Sequence, residues 1–98
     1  MSDVLHVSDF APFINQTFSI SFTPEVTLPA ELIQVTEVNS FSPIDRKPFS
    51  VVFRTEQKTE YYQQAVCILH HPEKGELPLF FVPLGLDGGG MRYEAVFA

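Results

Sequence analysis

His70 and His71 stand side by side, with Cys67 and Glu73 close by, and imidazole, thiolate and carboxylate are the groups that hold metals. Neighbouring residues on a strand point to opposite faces, so His70 and His71 cannot aim at one ion from a regular strand. Cys67 and His71 share a face, but two ligands do not make a zinc site. The run Asp87-Gly88-Gly89-Gly90 has the composition of a phosphate-cradling loop. Such a loop must open a helix, whereas this one joins two strands and begins with a carboxylate. It reads as a flexible hairpin tip. A nucleophile triad could be drawn from His6, His70 or His71 and many serines and aspartates, but no spacing selects one. The residues therefore predict no catalytic group, no metal ligand set and no cofactor, and a protein that is not an enzyme.

The chain has 98 residues, 45% of them hydrophobic, with ten Phe and no Trp. That predicts a single domain over 1–98 with a Phe-rich interior. Net charge is −6, and no basic cluster exceeds Arg46-Lys47, which argues against a nucleic-acid partner. The lone Cys67 fits a reducing compartment and reads as a small buried hydrophobe. The start lacks a basic segment followed by an apolar one, and the longest apolar run, Leu79 to Leu86, is short for a membrane helix. The expectation is a soluble cytoplasmic protein with no membrane association.

Ser8 to Asn15 reads as a short helical turn, capped by Ser8, limited by Pro12 and left through a left-handed Asn15. Phe10, Phe13 and Ile14 would share its inner face and plug one end of a sheet. Thr17 to Phe22 alternates as a half-buried strand with Phe18, Ile20 and Phe22 inward. Val26 to Val38 changes phase, with Leu28, Ala30 and Leu32 on one face and Ile33 and Val35 on the opposite parity, so a bulge is predicted near Leu32-Ile33. Asn39 to Lys47 reads as a loop, Phe49-Val51-Phe53 as the buried face of a strand, and Thr55 to Gln64 as a polar excursion carrying Tyr61 and Tyr62.

The last third reads as three antiparallel strands. Closing the first turn with His71 opposite Glu76 places Leu69 opposite Pro78, Cys67 opposite Phe80 and Ala65 opposite Val82. Closing the second at Gly85–Gly90 places Leu84 opposite Met91, Val82 opposite Tyr93 and Phe80 opposite Ala95. Opposed residues share a face, so Ala65, Cys67, Leu69, Phe80, Val82, Leu84, Met91, Tyr93, Ala95 and Phe97 are expected to form one apolar face. The other face would carry Val66, Ile68, Leu79, Phe81 and Val96 beside His70, Arg92 and Glu94. Pro83 conflicts with a central strand position and calls for a bulge there or an end of pairing near Val82.

The run from Gly75 to Gly85 with Gly90 to Phe97, preceded by His71-Pro72, resembles the signature of a small uncharacterised bacterial domain family, and the resemblance extends over nearly the whole chain. Cys67 departs from it, at a position where Tyr is expected. The resemblance implies a compact β fold without known activity. Some similar proteins are encoded near tail-collar-like proteins of phage-type or injection-type assemblies.

The resulting expectation is an all-β domain of about six antiparallel strands, a small barrel or sandwich, with one short N-terminal helical turn. Its expected role is a non-enzymatic interaction or assembly module that binds a protein partner or itself, with Val66, Ile68, Leu79, Phe81, Tyr61 and Tyr62 as contact residues. An accessory role in a phage-tail-like assembly is one form of this. The alternative is a small-ligand-binding barrel; a hydrolase or metal enzyme ranks below both.

Overall fold

A computed structural model describes residues 5–37 and 48–97. The predicted loop from Asn39 to Lys47 lies outside the described residues, as do Val38 and the Arg46-Lys47 pair. Six antiparallel strands, β1 (Thr17–Thr23), β2 (Val26–Glu37), β3 (Phe49–Thr55), β4 (Ala65–His71), β5 (Gly75–Asp87) and β6 (Gly90–Phe97), close into a barrel in the order β1-β2-β3-β6-β5-β4. Closure gives every strand a neighbour on both sides over at least part of its length.

The alternation in β1 turns Phe18 and Ile20 inward. In β2 the pairing shifts between Leu32 and Gln34, so Ile33 is the extra residue; Leu32 pairs with Phe53 and Val35 with Val51. The bulge expected from the phase change is there, and it lets both halves of β2 feed the core. The interior is filled with rings: Phe18 meets Phe53 edge-on at 5.2 Å and Phe53 meets Phe81 at 5.9 Å. Six strands enclose little more room than such side chains occupy.

Each barrel end has a plug. At one end the chain makes two short 3-10 turns, Val7–Asp9 and Ala11–Phe13, and leaves through Asn15 at φ 70°. The expected Ser8 cap is corrected: Ser8 lies inside the first turn, and the Asp9 carboxylate accepts from the His6 N–H at 2.8 Å. Phe10 is fully buried against Phe49 and Phe97, whereas Ile14 faces out. At the other end the 56–64 excursion folds back over the barrel. The buried Tyr93 hydroxyl donates to Gln57 Oε1 at 2.8 Å and accepts from the Tyr62 N–H at 3.0 Å, while Tyr62 stacks on Phe22 at 4.8 Å.

The β4–β5 register is one residue away from the expected one. His71 pairs with Gly75, Leu69 with Leu77, Cys67 with Leu79 and Val66 with Phe80. Gly75 is therefore a strand position, reached through a three-residue loop and held at φ 78°. The inward residues of β5 are Leu77, Leu79 and Phe81, and Phe80 turns outward. Beyond Pro83 the pairing with β6 shifts at Leu84, so Pro83 opposes Tyr93 and Leu86 opposes Met91. The bulge absorbs the slip, which is why Met91, Tyr93 and Ala95 remain inside as expected while Phe80 and Leu84 do not.

Gly90 is required by close approach. Its φ is 148°, and a Cβ there would lie 1.8 Å from the Thr55 carbonyl oxygen. Gly90→Ala should therefore cost about 2–4 kcal/mol in chemical denaturation, combining backbone strain with displacement of β3. Gly75→Ala, with open space around the site, should cost only about 1–2 kcal/mol for its left-handed backbone. Equal losses would mean the Thr55 contact does not govern Gly90.

Candidate functional site

The outer surface of β4 and β5 is where apolar side chains gather without cover. Val66 is 63% exposed and Phe80 51%, and the two are directly paired across β4–β5. Ile68 pairs with Pro78 one position further on, half-buried. Along the same strand Leu84 is 40% and Leu86 50% exposed, and Tyr61, in the chain entering β4, is 57% exposed. Beside these last residues runs a surface groove of about 470 Å³ lined by Tyr61, Pro83, Leu84, Leu86 and Met91. Among the described residues, large exposed hydrophobics elsewhere are Ile14 and Val96.

The expected contact residues divide three ways. Val66 and Ile68 are on the outside. Leu79 and Phe81 turn into the barrel, Phe81 at 1% exposure, so they are corrected to core. Tyr62 packs over the barrel end against Phe22, and only Tyr61 of the tyrosine pair projects. For Leu79 and Phe81 the one-residue register slip is the physical reason, because it exchanges the faces of β5 up to the bulge at Leu84. Phe80 and Leu84, expected on the core face, and Leu86, expected in the second turn, are exposed strand residues. The signal that could have found Phe80 is the Pro72-Glu73-Lys74-Gly75 sequence, which suits a three-residue hairpin loop ending in a left-handed glycine.

The two histidines separate as adjacent strand residues must. His71 is buried: Nδ1 accepts from the N–H groups of Glu73 (3.0 Å) and Lys74 (3.1 Å), so the proton sits on Nε2 and is donated to the Asp9 carbonyl at 2.7 Å. Its ring lies edge-on to Phe10, Phe13 and Phe18. It ties the N-terminal plug to the β4–β5 turn.

His70 faces outward, with Nε2 2.8 Å from Ser21 Oγ, which is itself 2.8 Å from Thr27 Oγ1. Its Nδ1 is 4.0 Å from Glu76 Oε2, beyond hydrogen-bonding reach. The serine–histidine contact has the length a nucleophile and its base require. The orienting carboxylate does not hold the ring, and Glu76 is 75% exposed on its side chain. The arrangement works as a polar brace joining β2, β1 and β4. No group of three or more His, Cys, Asp or Glu residues that could hold a metal ion occurs among the described residues. Burial pushes the Cys67 thiol up, away from the reactive thiolate.

The glycine tip is tied down rather than loose. Asp87 Oδ1 accepts from the N–H groups of Gly89 (2.7 Å) and Gly90 (3.0 Å), and Oδ2 lies 3.3 Å from Arg54 Nη1. Arg54 also reaches Glu31, at 3.3 Å. The Gly89 N–H, foremost, holds the Asp87 carboxyl below its ordinary value of 3.8; burial opposes it, and the Arg54 guanidinium and the Gly90 N–H reinforce it. Because the folded value is the lower one, the carboxylate's contribution to stability is complete above the unfolded value and is lost as pH falls through the folded one. Asp87→Asn keeps an acceptor for the turn and removes the charge. It should flatten the acid limb of a stability–pH curve below about pH 4, the ordinary aspartate range. An unchanged acid limb would assign that limb to other carboxylates.

The chain belongs to a family described as a domain of unknown function, DUF6916, which matches residues 5–97. No curated protein and no solved structure matches the chain. Among the described residues, no helix is long and apolar enough to cross a membrane.

Proposed function

We propose that this member of the DUF6916 family is a non-enzymatic protein-binding module, and that the outer surface of β4 and β5 is its contact surface. The observation that carries the reading is the directly paired, uncovered Val66 and Phe80 on the outer face of the sheet, with half-buried Ile68 beside them. Apolar residues scattered singly are ordinary on protein surfaces, whereas contiguous ones mark interaction sites. Aromatic side chains supply a large share of contact energy where they are buried on binding, which favours Phe80 and Tyr61 as anchors. In this reading the protein works in the bacterial cytoplasm as an accessory of a larger assembly, a phage-tail-like structure being one candidate.

The test is tagged recovery of the partner from the source cell, comparing wild type with Val66→Asp/Phe80→Asp. Both side chains are exposed, so each change should move stability by only about 0.5 kcal/mol. The double variant should melt like wild type and lose the partner. Retention of the partner by a folded double variant would overturn the assignment. Phe81→Ala serves as the contrast: with its ring in the core it should lose about 3–5 kcal/mol in denaturation.

A further inference from the structure

We propose that the open edge of β5 from Leu84 to Asp87, together with the groove beside it, docks an extended apolar strand from a different protein, flanked by basic residues. This rests on the protein-binding reading and names the mode and chemistry of the partner. β4 pairs with β5 only from Gly75 to Phe81, while β6 pairs with β5 from Val82 to Asp87. The second half of β5 therefore has a strand on one side alone. The excursion that passes nearby does not fill the gap. Its Tyr62 N–H is taken by Tyr93, and among the described residues no backbone hydrogen bond joins 56–64 to 82–87.

An edge of this kind offers backbone donors and acceptors to an added strand, and pockets beside it read alternate side chains of that strand. The groove of about 470 Å³, with Tyr61, Leu84, Leu86 and Met91 on its walls, falls in the range of about 300–1,000 Å³ that holds small ligands and side-chain clusters. Pro83 has no N–H to offer, and the bulge at Leu84 twists the edge there, so the usable edge is short. A short edge limits open-ended stacking of sheets and leaves recognition to the groove. Charge selects the partner: a second copy carries the same net −6 and is repelled, and the same excess of negative charge favours basic flanks over acidic ones.

The experiment uses a display library of peptides about six residues long, the usual strand length, with alternating apolar positions and lysine or arginine at the ends. Selected peptides should shift amide resonances of Tyr61, Leu84 and Leu86 in the 15N-labelled protein. N-methylation at alternate peptide positions, and separately Leu86→Asp, should each weaken binding roughly tenfold or more, as loss of main-chain bonds or of an apolar contact requires. Leu84→Lys provides a second variant that should weaken basic peptides if Leu86→Asp proves unfolded.

Failure to enrich any peptide overturns the inference. So do equal binding of N-methylated peptides, preference for acidic flanks, or shifts confined to Val66 and Phe80. Self-association of the protein alone, abolished by Leu86→Asp, would replace the foreign strand with a second copy. If Val66→Asp/Phe80→Asp loses the cellular partner while Leu86→Asp and Leu84→Lys keep it, the edge inference fails and the protein-binding reading stands. If none of these variants affects recovery, the reading itself fails.

Discussion

His71 holds the β4–β5 turn from the inside, and β5 takes its register from that turn as far as the bulge at Leu84. Its Nδ1 accepts two successive N–H groups, from Glu73 and Lys74, and its Nε2–H reaches across to the Asp9 carbonyl. The turn then closes with Gly75 already paired to His71. Since side chains alternate with a period of two, fixing that one pair fixes the face of every residue from Gly75 to Pro83. Phe81 enters the ring stack with Phe53, and Phe80 is left outside beside Val66.

The two plugs complete what the strands cannot close alone. The N-terminal turns bring Phe10 onto Phe49 and Phe97, and the excursion brings Tyr62 onto Phe22 above the Tyr93 hydroxyl. Each plug joins an apolar ring to a satisfied polar contact, so the backbone crossing the barrel mouth keeps its hydrogen bonds. With the interior filled by aromatic packing, the apolar surface still available for recognition is on the outside. It lies on the strand that is too long for its neighbour. β5 outruns β4 beyond Phe81, and the Leu84 bulge turns the surplus toward Tyr61.

Much of the fold was legible because its signals are local. The alternation of Phe18 and Ile20, the phase change at Leu32-Ile33, the left-handed Asn15 and the conflict at Pro83 each report on backbone geometry within a few residues. The candidate surface was only partly legible. Val66, Ile68 and Tyr61 are where an exposed contact residue must be, but Leu79 and Phe81 are inside and Tyr62 covers a barrel end. β5 is apolar at both parities, so either register yields a plausible buried face. The bulge at Leu84 then removes the check that Arg92 and Glu94 would otherwise impose.

The sequence by itself determined an all-β chain, the bulge at Leu32-Ile33, the left-handed exit at Asn15, and a Phe-rich core containing Phe18, Phe53 and Tyr93. It determined as well that His70 and His71 could not serve one metal ion, because the strand period separates them. Only the tertiary structure decided closure into a barrel, the three-residue loop before Gly75, and the approach of Gly90 to the Thr55 carbonyl. It also decided which apolar residues remain uncovered. Those features depend on contacts between segments far apart in the chain, such as His71 with Asp9 and Tyr93 with Tyr62. Local pattern carries no information about such contacts when both faces of a strand are equally apolar.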